Sequence, residues 1–159
     1  MTSIPLTDEL SEVDHLLEII STLGVEVILT QNNPDPDAIA SSAALVYLCN
    51  RKLNLCPSIY YRGLIGRAEN QALVRTLGDD FPTAQDYDFN HPVHALLVDV
   101  QPGSGMLSLP ENVQVAAVID RHRIHQPVNA RFVDIRPALG ATSTILTEYL
   151  RISGLEPPP

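Results

Sequence analysis

The sequence predicts an α/β fold, a mostly parallel β-sheet flanked by helices. Three observations carry that prediction. Short runs rich in Val, Ile and Leu alternate with longer stretches of helical spacing. The two clearest runs, "HALLVDV" and "VQVAAVI", are nearly continuous in apolar residues, as strands covered on both faces are. Aspartates recur at or just past the ends of these runs, at Asp35, Asp37, Asp99 and Asp120.

In chain order, residues 11–23 put Val13, Leu16, Leu17, Ile20 and Leu23 on one side of a helix that Gly24 closes. Residues 25–30 form a short buried strand, and the loop around "NNPDPD" leads into a helix over 38–53, rich in Ala, Leu and Ser. A second strand spans 58–61 and a second crossover helix 67–77. Residues 79–91 are polar and aromatic without a period, which predicts a loop. The third strand, 94–100, is ended by the turn residues "QPGSG". The fourth, 113–119, ends in "DRH", and 131–135 is a fifth. An amphipathic helix over 141–153 stops at Gly154, and the prolines of "LEPPP" cannot extend it.

The chain reads as a single domain, 1–159, long enough to bury a sizeable core. Its composition, 45% apolar and 18% charged, is that of a globular protein. A net charge of −9 argues against long nucleic acid as a partner but leaves room for a phosphorylated small molecule or short oligonucleotide held locally. Cys49 and Cys56 make neither a disulfide framework nor a zinc pattern, and read as reduced, mostly buried thiols. Neither a signal peptide nor a membrane-spanning run is apparent, so the cytoplasm is the default.

Ligands of open parallel sheets gather beyond the carboxyl ends of the strands. Asp35 and Asp37, Asp99, and Asp120 with His122 all take that position, which points to a shared cation site. Taken alone, an Asp after a strand is a helix cap or turn former, and Asp37 is placed to cap a helix starting near Ala38. "GATST" opens the last helix and offers backbone N–H groups with the Thr142 and Ser143 hydroxyls as an anion cradle, with Arg136 nearby. Arg62, Arg67 and Asn70 flank the second crossover within possible reach of a substrate, and His125 is placed to line the cleft.

Four stretches resemble the motifs of the DHH (or DDH) phosphoesterases, the family of RecJ-like exonucleases, oligoribonuclease/phosphoadenosine-phosphate phosphatases and family II pyrophosphatases. They are "NPDPDAIASSAAL", "LLVDVQPGSG", "AAVIDRHRI" and "DIRPALGATSTILTEYL", in the family's order. "GLIGRAENQALVRTL" is similar to a further segment of a bacterial subgroup. The resemblance implies a metal-dependent phosphoesterase acting on short nucleic acids or nucleotides, with Mn²⁺ or Mg²⁺ on hard oxygen and imidazole ligands. By that resemblance Asp35, Asp37 and Asp99 are metal ligands, Asp120 orients its neighbours, and His122 lies near the substrate phosphate.

The chain departs from the family pattern at Gln31 and Arg121, where the family has ligand histidines. It also ends before the position of a fourth motif and of the second, substrate-binding domain. One ion or none is then expected. An arginine cannot coordinate a metal, but a guanidinium among carboxylates can replace a metal's charge. The alternatives are a catalytically inactive phosphate- or nucleotide-binding domain, and a fragment of a longer or split phosphoesterase. A truncated sheet edge further suggests a homodimer or a separate C-terminal partner chain. A receiver-like signalling domain would share the acidic strand ends, but Lys52, the only lysine, lies in a helix near the start.

Overall fold

A computed structural model describes residues 6–156; the three prolines closing "LEPPP" lie outside them. Strands β1 (Val27–Leu29), β2 (Ser58–Tyr60), β3 (Val93–Val98), β4 (Val113–Asp120) and β5 (Phe132–Ile135) form one sheet in the order β2-β1-β3-β4-β5. Every pair is parallel. The helices are α1 (Leu6–Leu23), α2 (Pro36–Leu53), α3 (Ala68–Leu77) and α4 (Thr142–Ile152), with a 3-10 turn at Gly78–Asp80. This strand order reverses direction between β1 and β3, which opens a crevice beyond their carboxyl ends.

Side chains alternate across the sheet with the two-residue period of a strand. Ile28, Leu96, Val98, Ala117 and Ile119 pack with Leu16 and Ile20 of α1, Ile39 and Leu45 of α2, and Ile145 and Tyr149 of α4. Val27, Leu29, Ala95, Leu97 and Val118 face the other way. Both faces are covered, as the continuous apolar runs require, but among the described residues the second one carries no helix. Tyr87, Phe89, Leu107, Leu109, Val128 and Ala130 from the connecting segments close it. The β3–β4 and β4–β5 connections have no helix to contribute, because "QPGSG" and "HQPVN" are turn sequences.

The 79–91 segment also protects a sheet edge. Ile59 pairs in parallel with Thr83, its N–H donating to Pro82 O at 2.7 Å and its carbonyl accepting from Ala84 N at 3.0 Å. The opposite edge is β5, where Val133 is exposed. Cys49 is buried, and burial pushes its thiol up to about 12. Cys56 is exposed, against the expectation of a buried thiol, because it sits in the turn before β2.

Helix α2 begins two residues before the expected start. Pro36 takes the first turn, where its fixed φ suits the helix and its missing N–H is no loss. The cap is therefore Asp35 and not Asp37: the Asp35 side chain accepts from Ala38 N at 2.9 Å. Asp35→Ala is expected to lower stability by about 1 kcal/mol in urea denaturation, the usual effect of losing such a cap.

Candidate functional site

The acidic residues converge at the crevice. Asp99 follows β3 with φ 60, a left-handed conformation that Asp tolerates better than most residues. Its N–H donates to Ile119 O at 2.9 Å, which pins it beside the end of β4. Thr30 at the end of β1 donates its hydroxyl to Val98 O at 2.9 Å and ties the two strand ends together. Asp120 closes β4 and is fully buried.

Asp99, Asp120 and His122 form one cluster, with a potential ligand atom from each within 4.8 Å of the others. His122 Nδ1 lies 2.7 Å from Asp120 Oδ1 and 3.9 Å from Asp99 Oδ1. Gln101 orients Asp120 from behind, donating from Nε2 to Asp120 Oδ2 at 2.7 Å and to His122 O at 3.0 Å. Thr142 orients Asp99 by donating its hydroxyl to Oδ1 at 2.7 Å. Burial raises the Asp99 carboxyl to about 7, and the nearby charges of Asp37 and Asp35 act in the same direction. A buried acid in that state favours either a proton or a cation. Two carboxylates and an imidazole suit a divalent ion such as Mn²⁺ or Mg²⁺.

Asp37 does something else. Its Oδ2 accepts from Thr142 N at 2.9 Å and its Oδ1 from Ser143 N at 2.8 Å, so it caps α4 from across the fold. Burial opposes its charge, but the Ser143 and Thr142 bonds and the Arg121 guanidinium outweigh it and hold the carboxyl below its ordinary value. The expected phosphate cradle at Thr142 and Ser143 is thus filled by the protein's own carboxylate. Arg121 Nε lies 3.7 Å from Asp37 Oδ2. Of the expected ligands Asp35, Asp37 and Asp99, Asp35 bonds the N-terminus of α2 and Asp37 that of α4, while Asp99 lies with Asp120 and His122.

A cavity of about 260 Å³ opens beside the cluster, and Gln31 and His125 line it together with Asp99, Asp120 and His122. Gln101, Arg123 and Gln126 also line it; the sequence reading did not single them out. The only signal for Gln101 was its place two residues after Asp99. Gly103, with φ +76, permits this wall: a Cβ there would lie 1.9 Å from Gln126 Nε2, which donates to Pro102 O at 3.0 Å.

Arg136 does not face the cavity. Its Nε and Nη2 bind the two oxygens of Asp134, each at 2.9 Å, and its Nη1 binds Glu148 Oε2 at 2.5 Å. Two acids on one guanidinium leave no free fork for a phosphate. Tyr149 donates its hydroxyl to the same Asp134. Arg62 and Arg67 are exposed on the β2–α3 connection, and neither lines the cavity. Asn70 is buried near the start of α3, and its Oδ1 has no hydrogen-bond partner.

No protein-family model matches the chain. An uncharacterized protein of Methanocaldococcus jannaschii is 37% identical over 132 residues, covering 82% of this chain and 27% of that protein. The crystal structure of an exopolyphosphatase-related protein from Bacteroides fragilis is similar with a TM-score of 0.63 at 15% identity, over 91% of this chain and 44% of that one. A candidate family II inorganic pyrophosphatase of Methanococcus jannaschii is similar with a TM-score of 0.55 at 24% identity, over 80% of this chain and 38% of that one. The chain thus spans less than half the length of each. No helix among the described residues is long and apolar enough to cross a membrane. The five-stranded parallel sheet with its helices is an α/β fold similar to that of the two solved structures, and an Asp/Asp/His cluster stands at its carboxyl edge.

Proposed function

We propose that the chain is a DHH-family phosphoesterase domain that hydrolyses phosphoester bonds of short nucleic acids or nucleotides. One divalent cation, Mn²⁺ or Mg²⁺, is held by Asp99, Asp120 and His122. The observation that carries this reading is the convergence of those three residues on the wall of a cavity of about 260 Å³. When bound, the cation supplies Lewis acidity toward a phosphoryl oxygen and makes water a better nucleophile. The chain's own residues do the rest. Thr142 and Gln101 fix the two carboxylates, so little reorganisation is needed on binding. Arg123, His125 and Gln126 place donors around the cavity for phosphate oxygens. The chain covers 27% of the curated relative.

A second reading, a phosphate- or nucleotide-binding domain without turnover, is favoured by one observation: Asp37 is already neutralised by Arg121 and the end of α4. Calorimetry with Mn²⁺, beside hydrolysis assays on a dinucleotide and a phosphoadenosine phosphate, separates the two. Metal binding and turnover that both vanish in Asp99→Asn are expected. Absence of binding at millimolar Mn²⁺ sinks the phosphoesterase reading, and metal-independent nucleotide binding without turnover establishes the second.

A further inference from the structure

Asp37 is surrounded by more positive charge than a helix cap needs. It accepts two backbone bonds at the N-terminus of α4, where the helix carries partial positive charge. The Arg121 guanidinium stands 3.7 Å away, and its Nε is buried without a hydrogen-bond partner. That nitrogen is held near Asp37 by charge and by its place in the chain, not by a directed bond. Arg121 and His122 are consecutive, so one strand end sends a fixed cation toward Asp37 and a ligating ring toward Asp99 and Asp120. Thr142 joins the two halves, with its N–H on Asp37 and its hydroxyl on Asp99.

We infer that Arg121, together with the N-terminus of α4, is a built-in cation that takes the place of a metal ion beside Asp37. A guanidinium is always charged and offers no lone pair, so it neutralises Asp37 while barring it from a shared metal. The inference rests on the reading of Asp99, Asp120 and His122 as the single-ion site.

Ion counting by calorimetry with MnCl₂ at about pH 8, where a histidine is neutral, tests it in the full chain and two variants. Arg121→Lys keeps the charge and is expected to keep one ion and a melting temperature close to wild type. Arg121→His exchanges the fixed charge for a ligand. Its metal-free melting temperature is expected to fall by about 3–6 °C. Added Mn²⁺ is expected to restore that loss, with one more ion bound per chain than in wild type. An unchanged ion count in Arg121→His overturns the inference, whatever the wild-type count. If wild type binds no ion and Arg121→His binds one, the inference stands and the single-ion reading fails. Two ions in wild type overturn the inference directly.

Discussion

Asp99→Asn is expected to give a protein that is more stable than wild type without metal, yet inert with it. Asp99 is almost fully buried, and burial lifts its carboxyl from an ordinary 3.8 to about 7. The Thr142 bond and His122 oppose that shift, and the charges of Asp37 and Asp35 add to it. A folded-state value above the unfolded one means that the folded chain binds the extra proton. The stabilising contribution is therefore complete below about pH 4 and is lost as the pH rises toward 7. Above that window the ionised, buried carboxylate lowers metal-free stability by about 2–4 kcal/mol. Asparagine keeps an acceptor for Thr142, carries no charge, and tolerates the left-handed backbone at φ 60 better than alanine does. Urea denaturation in chelator at pH 5 and pH 8 checks this: wild type is expected to weaken across the interval and Asp99→Asn to hold level. Mn²⁺ should reverse the wild-type trend, since ligands must lose their protons to bind metal. Wild-type stability that stays flat from pH 5 to 8 contradicts the account.

Asp37→Ala is expected to be the most damaging substitution at the crevice. It removes the acceptor of two charge-assisted bonds and leaves the N–H groups of Thr142 and Ser143 unsatisfied, a loss of about 2–4 kcal/mol. The consequence extends beyond the site, because α4 contributes Ile145, Leu146, Tyr149 and Leu150 to the core. Asp37→Asn retains part of the cap and should lose roughly half as much. The sign of the pH effect is opposite to that at Asp99. The folded-state value of Asp37 is depressed, so its contribution is present above pH 4 and is lost as the pH falls through the folded value. Thermal melts, together with hydrogen exchange at the Ser143 amide, measure both effects. Unaltered protection of that amide in Asp37→Ala would remove the long-range cap from the account.

Much of this was legible along the chain. Each expected strand and helix is present, displaced at its ends by a few residues, because apolar periodicity reports burial directly. The positions of Asp99, Asp120 and His122 followed from the rule that the carboxyl ends of parallel strands face the ligand. The partners of Asp35 and Asp37 were not legible. They stand two residues apart with the same side chain, Asp35 as the cap of α2 and Asp37 in its first turn, and their difference lies in what each one meets. Asp35 bonds three residues ahead of itself, whereas Asp37 bonds a helix more than a hundred residues away. Likewise Arg136 and the "GATST" turn had the composition of a phosphate site, and Asp134, Glu148 and Asp37 had already taken their donors.

By itself, then, the sequence determined the α/β class, the order of its elements and the edge of the sheet at which the aspartates gather. Those properties depend on local periodicity and on turn residues. Only the tertiary structure decided which carboxylates gather with His122 and which bond backbone N–H groups. That choice depends on distances between segments far apart in the chain, and a buried donor takes whichever acceptor the fold brings to it.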